Sequence, residues 1–565
     1  MAGRATCDVV VVGSGAAGLT AALAAAKAGL QVTLLEAAPL IGGTTALSEG
    51  MIWVPNSAAA TALPDAPPTD READDALTYL AATSSAGFDP ERARAYLAAG
   101  PQVLDFLAHA SGLTFTLNRG SRDYVTDAPG ATMGRRALNP DPFDARAMPR
   151  HLFRKLRAPL PTMMIWGGMS IASRDLADFL SAGRSPGAAL RVARLGARHL
   201  LDRLAGWPRG PRVANGNAIV ARLALANLRA GVDLRTSWPV EALILRDGRV
   251  QGVMGPGGPI AARFGVILAT GGYNTAPRPS AGLGMAQTHV ALPPEVSAPP
   301  LARLVADTGA ELVGAMSQPV LWAPASVVPE GPARAGPWPH FGDRAKPGVI
   351  CVGPDGLRFA NEAAVYHDFV PRLIAATSAH PDGPHAWLVA DHRAVRRYGL
   401  GPIGPFPVRL GPYQATAYLK TGRDLPDLAR RIGVPEASLI ETVARFNRHA
   451  RSGEDPDFGR GASAYDRVNG DPAHAPNPCL GPLDHGPFHA IRISPGDIGT
   501  FVGLRVDAQA RVCRGDGTAV DGLWAAGNAA TPLNAGTYPA AGLTIGAAMV
   551  FGWIAVRDLL ERRPQ

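Results

Sequence analysis

The fold is decided by the segment DVVVVGSGAAG, residues 8–18, close to the start of a chain of 565 residues. A β-branched run leads directly into a glycine-rich turn, and an alanine-rich stretch follows as far as Ala28. This order predicts a strand, a tight turn and a helix that ends at Gly29. The next apolar run, Val32–Leu35, predicts a second strand that closes with Glu36. Together these elements predict a βαβ unit.

The turn of this unit has the glycine spacing of a dinucleotide-binding site. Gly13, Gly15 and Gly18 allow a tight turn and let the backbone approach a pyrophosphate, while the helix N-terminus offers N–H groups. Glu36 follows about 20 residues later and can accept ribose hydroxyls. Because these parts fall in the required order, we expect a bound dinucleotide, although the turn alone does not separate FAD from NAD.

Three later segments distinguish FAD from NAD as the expected cofactor. Residues 41–45 (IGGTT), with Ser48 and Gly50, are similar to the second phosphate-and-flavin loop of the succinate dehydrogenase/fumarate reductase flavoprotein superfamily. Residues 265–272 (GVILATGG) resemble its ATGG strand-turn, and residues 521–528 (DGLWAAGN) resemble its late GLYAAGN segment. The resemblance implies FAD, and the second loop has no histidine for covalent attachment, so we expect noncovalent binding. The predicted cofactor-binding residues are Gly13, Gly15, Ala16, Ala17, Gly18, Glu36, Gly43, Thr44, Thr45, Ser48, Gly50, Val240, Ala269, Thr270, Gly271, Gly527, Asn528, Leu543 and Thr544.

Matches to the flavin domain stand near both ends of the chain, so that domain is expected to be discontinuous. We predict an α/β fold with a Rossmann-type FAD-binding domain formed by residues 1–317 and 495–565. An α+β catalytic cap domain, residues 318–494, is inserted between the two parts. Within it, the apolar periodicity predicts helices at Leu425–Ile432 and at residues 436–450.

The last hundred residues indicate the reaction. Residues 495–500 (PGDIGT) and 537–546 (TYPAAGLTIG) resemble the PGDLGT and TYPGPGxTIG segments of 3-ketosteroid Δ1-dehydrogenase. The resemblance implies that Tyr538 and Gly542 bind the C3 carbonyl of a 3-oxosteroid through a phenol and a backbone N–H. Ala540 and Ala541 depart from the family pattern, and so does Val502, where glycine is usual. These departures fall near the expected substrate site, so the resemblance does not define the shape of the substrate.

Two more tyrosines complete the predicted site. Residues 358–366 (RFANEAAVY) resemble the family's RF-NE-A-x-x-Y segment, which implies that Tyr366 is the general base. Residues 123–130 (DYVTDAPG) resemble another family segment, and Tyr124 matches the tyrosine in it that assists the base by hydrogen bonding. Because an unperturbed tyrosine has a pKa of about 10, we expect Tyr124 to lower the pKa of Tyr366. The expected reaction moves the C2 proton to the base and the C1 hydride to flavin, and an external acceptor such as a quinone then reoxidises the flavin.

Other functions remain open at this stage. A fumarate or enoate reductase would need a late arginine as proton donor, and no Arg or Lys lies between Asn528 and Val556. A Δ4-directed 3-ketosteroid dehydrogenase also transfers hydride to the flavin, but it attacks a different position of the steroid. The sequence separates it poorly from the Δ1-directed enzyme. A non-enzymatic alternative is a membrane-surface lipid-binding protein that keeps FAD as a relic, but the three tyrosines argue against it.

The charge and the cysteines exclude other classes. The net charge of +8 is local, because residues 146–212 hold 12 Arg, one Lys and three Asp, a net charge of +10. The rest of the chain is therefore slightly acidic, and the net charge implies no nucleic-acid partner. Four dispersed cysteines without a CxxC pair indicate neither a metal site nor a disulfide framework. With no leader segment and no run of about 18 apolar residues, we expect a cytoplasmic protein.

The basic insertion, residues 146–212, contains a predicted amphipathic helix at residues 185–204. Leucines and alanines share one face of this helix, and arginines share the neighbouring face. Two interpretations remain open. The apolar face can pack on the protein core, as in an ordinary surface helix, or it can dock the protein on an anionic membrane surface.

Overall fold

A computed structural model describes residues 5–172, 175–183, 185–272, 288–314, 316–331, 335–405 and 410–563. The strands are β1 (Ala5–Val12), β2 (Val32–Leu35), β3 (Ile52–Trp53), β4 (Phe115–Leu117), β5 (Ala137–Pro140), β6 (Phe143–Asp144), β7 (Met164–Ile165), β8 (Met169–Ser170), β9 (Arg212–Val213), β10 (Asp233–Arg235), β11 (Ala242–Arg246), β12 (Arg249–Gly255), β13 (Gly258–Leu268), β14 (Val290–Ala291), β15 (Leu312–Val313), β16 (Val320–Val328), β17 (Gly336–Pro339), β18 (Val349–Val352), β19 (Ala386–Ala390), β20 (Leu419–Gly422), β21 (Phe488–Thr500), β22 (Gly503–Leu504), β23 (Arg511–Cys513) and β24 (Ala519–Ala525). The helices are α1 (Ala16–Lys27), α2 (Ala58–Thr61), α3 (Thr69–Thr83), α4 (Pro90–Ser111), α5 (Arg150–Lys155), α6 (Leu176–Ser181), α7 (Pro186–Leu204), α8 (Asn215–Arg229), α9 (Leu301–Leu304), α10 (Tyr366–Thr377), α11 (His392–Tyr398), α12 (Gly411–Ala415), α13 (Leu425–Ile432), α14 (Glu436–Ser452), α15 (Ala464–Asn469) and α16 (Leu543–Arg562).

The first large sheet contains the predicted βαβ unit. Its parallel core has the strand order β10-β2-β1-β13-β24. The hairpin of β11 and β12 extends the sheet from the first half of β13, and β23 pairs with β24. Strand β24 comes from the far end of the chain, so the flavin domain is assembled from both ends. This topology confirms the predicted α/β class.

Apolar helices cover this sheet because its central strands are apolar on both sides. Val9, Val10 and Val11 of β1 are completely buried, as expected for a parallel strand with helices on its faces. Helix α1 packs against α8 and α16. By length and composition α16 is long and apolar enough to cross a membrane, but most of its length is buried inside the protein. It serves here as a core helix.

The second large sheet forms the cap. Its order is β17-β16-β21-β19-β18, and β14 and β20 also pair with β21. Helices α13 and α14 pack beside it, and both confirm the predicted helices, although α14 extends to Ser452. Strand β21 runs without a break through residue 494, where we predicted the return to the flavin domain. The division of the chain at residues 318 and 494 therefore stays a prediction.

The basic insertion contains the predicted amphipathic helix as α7. Ser185 caps it by accepting a hydrogen bond from the backbone N–H of Ala188. Its buried residues are Ala188, His199 and Asp202, whereas its leucines at 190, 200, 201 and 204 are exposed. The interpretation in which the apolar face packs on the core is therefore wrong.

Candidate active site

A large cavity runs from the carboxyl edge of the parallel strands to the cap sheet. Its volume is about 1380 Å³, which exceeds the roughly 300–1,000 Å³ of an ordinary small-molecule pocket. The turn after β1 lines one end, and three tyrosines line the other. The cavity can therefore hold a dinucleotide and a second molecule together.

The turn after β1 forms a cradle that side chains would fill. Gly13 has a φ of 106°, and a Cβ placed on it would lie 2.2 Å from the carbonyl oxygen of Ala269. A Cβ on Gly18 would lie 1.9 Å from the carbonyl oxygen of Gly13. The Glu36 carboxylate accepts a 3.0 Å hydrogen bond from the Ser14 N–H and also lines the cavity. These residues fit the dinucleotide predicted for this turn.

Two further loops close around this cradle. The Ala16 N–H donates to Thr45 Oγ1 at 3.1 Å, which ties the second loop to the start of α1. Asn528 donates through Nδ2 to the carbonyl oxygen of Thr500 at 3.2 Å, which joins the late loop to the end of β21. The predicted cofactor residues that line the cavity are Gly13, Gly15, Ala16, Ala17, Glu36, Gly43, Thr44, Thr45, Ser48, Gly50, Val240, Ala269, Thr270, Gly271, Gly527, Asn528 and Thr544. Gly18 and Leu543 lie behind the cavity wall, where Gly18 packs on Gly13 and Leu543 is buried at the start of α16.

The three predicted tyrosines meet at the other end of the cavity. The hydroxyls of Tyr124 and Tyr366 are 3.2 Å apart. The ring of Tyr538 lies 5.6 Å from that of Tyr124 and 5.9 Å from that of Tyr366, between ring centroids. The backbone N–H of Gly542 donates to the Tyr538 hydroxyl at 3.1 Å. The two groups predicted to bind a carbonyl are thus adjacent, and the predicted base lies beside them.

Tyr366 is positioned by a buried ion network at the base of its helix. Arg358 and Arg460 contact the Glu362 carboxylate at 2.7 Å and 3.2 Å, four residues before Tyr366 begins α10. Burial raises the pKa of Glu362, but the two arginine charges outweigh it and lower that pKa to about 2. The network holds the loop from which Tyr366 enters the cavity.

Tyr124 is held by the loop that carries Tyr538. The backbone N–H of Tyr124 donates to the carbonyl oxygen of Pro539 at 2.8 Å. The preceding residue, Asp123, points the other way and accepts hydrogen bonds from Trp53 at 2.7 Å and Arg136 at 2.8 Å. This buried anchor explains how a surface loop can fix a side chain inside the cavity.

Comparison with known proteins identifies the family. The family model for the FAD binding domain matches residues 8–545. The chain belongs to this family. A 4-oxocyclohex-2-ene-1-carboxylate 5-dehydrogenase of Sinomonas cyclohexanicum is 38% identical, with 98% of this chain and 93% of the relative covered. A 3-oxosteroid 1-dehydrogenase of Mycolicibacterium smegmatis is 34% identical, with 98% of this chain and 97% of the relative covered.

A solved structure resembles the whole chain. The 3-ketosteroid Δ1-dehydrogenase from Sterolibacterium denitrificans, in complex with 1,4-androstadiene-3,17-dione, is 31% identical with a TM-score of 0.88. The match covers 99% of this chain and 100% of that structure. These similarities confirm the predicted family and the FAD cofactor. This flavoprotein is an FAD-dependent oxidoreductase whose relatives include 3-oxosteroid 1-dehydrogenases.

Burial is the main cause of the pKa shifts of the two paired tyrosines. Burial raises the pKa of Tyr366 well above its ordinary value. The hydrogen bond with Tyr366 lowers the pKa of Tyr124, although burial still dominates there. The contact between the two phenols is present, and a lowering of the pKa of Tyr366 by Tyr124 stays a prediction.

Three residues of the site were missed in the sequence. Tyr465 packs edge-on against Tyr124, with ring centroids 4.8 Å apart. Glu49 lines the cavity and is exposed to it, and desolvation by the surrounding protein raises its pKa. Arg122 lines the cavity on the same hairpin edge as Tyr124. Only Glu49 had a local signal, because it stands between the predicted residues Ser48 and Gly50.

Proposed function

We propose that this flavoprotein is a 3-oxosteroid 1-dehydrogenase, which converts a 3-oxosteroid to its 1,2-unsaturated ketone. The observation that carries the proposal is the meeting of Tyr366, Tyr538 and Gly542 in the same cavity as the dinucleotide turn. Relatives that bear this name at 34% identity over nearly the full length support it.

The carbonyl would be bound by Tyr538 and Gly542. A hydroxyl and a backbone N–H that already lie 3.1 Å apart can both donate to one carbonyl oxygen once it displaces their mutual contact. Two fixed donors in a buried site stabilise the negative charge that develops on this oxygen. The C–H bond beside the carbonyl becomes acidic as a result.

Tyr366 would then remove the C2 proton. The electron pair of the broken C2–H bond forms the C1–C2 double bond as the hydride leaves C1. Bound FAD supplies the acceptor for that hydride. Tyr366 returns its proton to solvent through Tyr124, whose hydroxyl is 3.2 Å away.

The phenolate of Tyr366 needs stabilisation against burial. Tyr366 is the first residue of α10, so the positive end of the helix dipole lies next to it. This dipole favours the anion, whereas burial and the neighbouring phenols oppose it. We therefore infer that the base is formed mainly at alkaline pH.

A second candidate substrate class is a small oxocyclohexane carboxylate. Two relatives, with 38% and 35% identity, are named for an oxocyclohexene carboxylate and an oxocyclohexane carboxylate, and Arg122 supplies a cation to the cavity. Its Nε atom is buried and has no hydrogen-bond partner among the described residues. A guanidinium of this kind suits a carboxylate. The ring chemistry would be the same with either substrate.

A substrate panel tests the two candidates. The FAD-loaded enzyme is mixed without oxygen with 4-androstene-3,17-dione or with 4-oxocyclohexanecarboxylate, and flavin bleaching is followed. Bleaching by the steroid supports the proposal, and bleaching by the small keto acid alone would replace it with the second candidate. Substituting Arg122 by Gln should raise KM for the keto acid at least about tenfold and leave the steroid KM unchanged.

We also propose an external two-electron acceptor of the quinone class, in a cytoplasmic enzyme. The electrons that enter FAD must leave before the next turnover, and the four cysteines of the chain are buried and unpaired rather than clustered as ligands of a second redox centre. Steady-state turnover in the presence of a soluble quinone analogue tests this inference. Turnover with oxygen alone at the same rate would argue against it.

A further inference from the structure

The exposed large apolar side chains of this protein are concentrated in one place. Among the described residues, six of the fourteen lie between residues 166 and 204. Helix α7 contributes Leu190, Leu200, Leu201 and Leu204, which are 62%, 61%, 65% and 75% exposed. The other two are Trp166 and Leu176. We call these six residues the apolar ridge.

Most of the apolar ridge lies along one side of helix α7. At 100° per residue, Leu190, Leu200, Leu201 and Leu204 fall on one side of α7, opposite the buried His199. The Trp166 ring lies against α7 at Gly196, where an added Cβ would be 2.7 Å from it. A ridge of this size on a folded surface usually marks an interaction site.

Arginines border the ridge. Arg191 and Arg198 lie on the neighbouring side of α7 and reach Asp178 and Asp144, each at 2.6 Å. Arg194 lies between them and the leucines, is exposed, and has no hydrogen bond or ion pair with any described residue. The whole insertion, residues 146–212, has a net charge of +10. The partner of this surface should therefore be apolar at its centre and anionic at its edge.

We propose that the apolar ridge docks the enzyme on the surface of a lipid bilayer that contains anionic lipids. A helix that exposes leucines, with a tryptophan beside it and arginines along its border, has the composition of an interfacial helix. A second copy of this chain is disfavoured as the occupant, because it would bring two insertions of net charge +10 together. An acidic protein partner is one outcome of the test below.

The docking surface is joined to the cavity. Met163, Ile165, Leu176 and Phe179 of the same insertion line the cavity wall. Leu176 therefore belongs both to the ridge and to the wall. If the proposed function holds, docking would place the entrance of the cavity against the medium in which an apolar substrate dissolves.

Vesicle binding tests the docking without any substrate. The FAD-loaded enzyme is sedimented with vesicles of phosphatidylcholine alone or of phosphatidylcholine mixed with phosphatidylglycerol. We expect binding to the mixed vesicles, weakened by high salt. The double substitution Leu201→Asp and Leu204→Asp should lower the partition coefficient at least about tenfold, since two side chains lose their burial in lipid.

Matched controls separate docking from folding. Leu357→Asp changes a leucine that is 50% exposed and lies outside the insertion, and it should leave vesicle binding unchanged. Neither Leu201 nor Leu204 lines the cavity, so the double variant should keep its FAD content and its turnover of dissolved substrate. On substrate carried in vesicles it should slow.

Three results would overturn the proposal. The first is a wild-type enzyme that stays in the supernatant with both kinds of vesicle. The second is equal loss of binding in the double variant and in the Leu357→Asp control. The third is a dimer, or a complex with an acidic protein, that the double substitution disrupts while vesicle binding is absent. Failure of the substrate panel would leave the vesicle result unaffected.

Discussion

Tyr366 is the side chain on which the proposed chemistry depends most. Replacing it by Phe removes one hydroxyl and keeps the ring contacts with Phe341 and Tyr538. We expect flavin reduction by substrate to slow by about 10²–10⁴-fold, the usual contribution of a general base. FAD should stay bound, and its absorbance spectrum reports this. The control is Tyr413→Phe, outside the cavity, and an equal loss of rate there would contradict the assignment.

Tyr538 has a different role, so its removal should have a different signature. Without its hydroxyl, only the Gly542 N–H remains to stabilise charge on the carbonyl oxygen. We expect Tyr538→Phe to lower kcat by about 10²–10³-fold, as for the loss of one oxyanion donor. Rapid-reaction kinetics of flavin reduction measure this. A change confined to KM would instead assign Tyr538 to substrate binding.

The pH dependence of the rate follows from the pKa of Tyr366. Burial raises that pKa, so the phenolate fraction grows as the pH rises through the alkaline range. Flavin reduction should therefore accelerate from neutral pH toward about pH 10, the ordinary tyrosine range. The Tyr366→Phe variant should lose this alkaline rise. A rate that is flat across the range in the wild-type enzyme would argue against a phenolate base.

At the scale of elements, the entry to α10 depends on the ion network around Glu362. The Glu362→Gln substitution leaves Arg358 and Arg460 buried without full compensation. Loss of one partner in a buried pair costs about 3–5 kcal/mol of unfolding free energy. Denaturant unfolding measures this loss. The control, Glu436→Gln in an exposed pair with Arg430, should cost less than about 1 kcal/mol.

The same network predicts how stability depends on acid. The folded-state pKa of Glu362 is about 2, below the value of 4.5 for a free glutamate. Its contribution is therefore present above about pH 4.5 and is lost as the pH falls toward 2. Its size is on the order of 3 kcal/mol. In the Glu362→Gln variant this part of the acid dependence should disappear, and an unchanged slope would show that other carboxylates dominate.

Local elements could be predicted well from the sequence, and the tertiary site only through family resemblance. Strand β2 and helix α13 begin and end at the predicted residues because short-range periodicity and caps define them. The 3.2 Å contact of Tyr124 with Tyr366 joins positions 242 residues apart, which no local pattern encodes. The exposure of the α7 leucines could not be predicted either. An amphipathic pattern shows that a helix has an apolar side, but it does not show whether that side packs on the core or lies at the surface.

At the scale of the whole molecule, the cavity joins two sheets of different origin. Residues of the flavin sheet and of the cap both line it. Bound FAD should therefore stabilise the enzyme as a unit, by about 2.7 kcal/mol when free FAD is present at 100 times its dissociation constant. Thermal unfolding of the enzyme with and without FAD measures this. An identical midpoint in both states would mean that the cofactor contacts do not contribute to folding.

The proposed reaction at the three-tyrosine site removes two hydrogens from ring A of a 3-oxosteroid. The most direct test is anaerobic mixing of the FAD-loaded enzyme with 4-androstene-3,17-dione, followed by absorbance and by mass analysis of the steroid. We expect loss of the oxidised flavin absorbance and a 1,4-diene product that is lighter by two hydrogens. A flavin that stays oxidised with every 3-oxosteroid tried would contradict the proposed reaction.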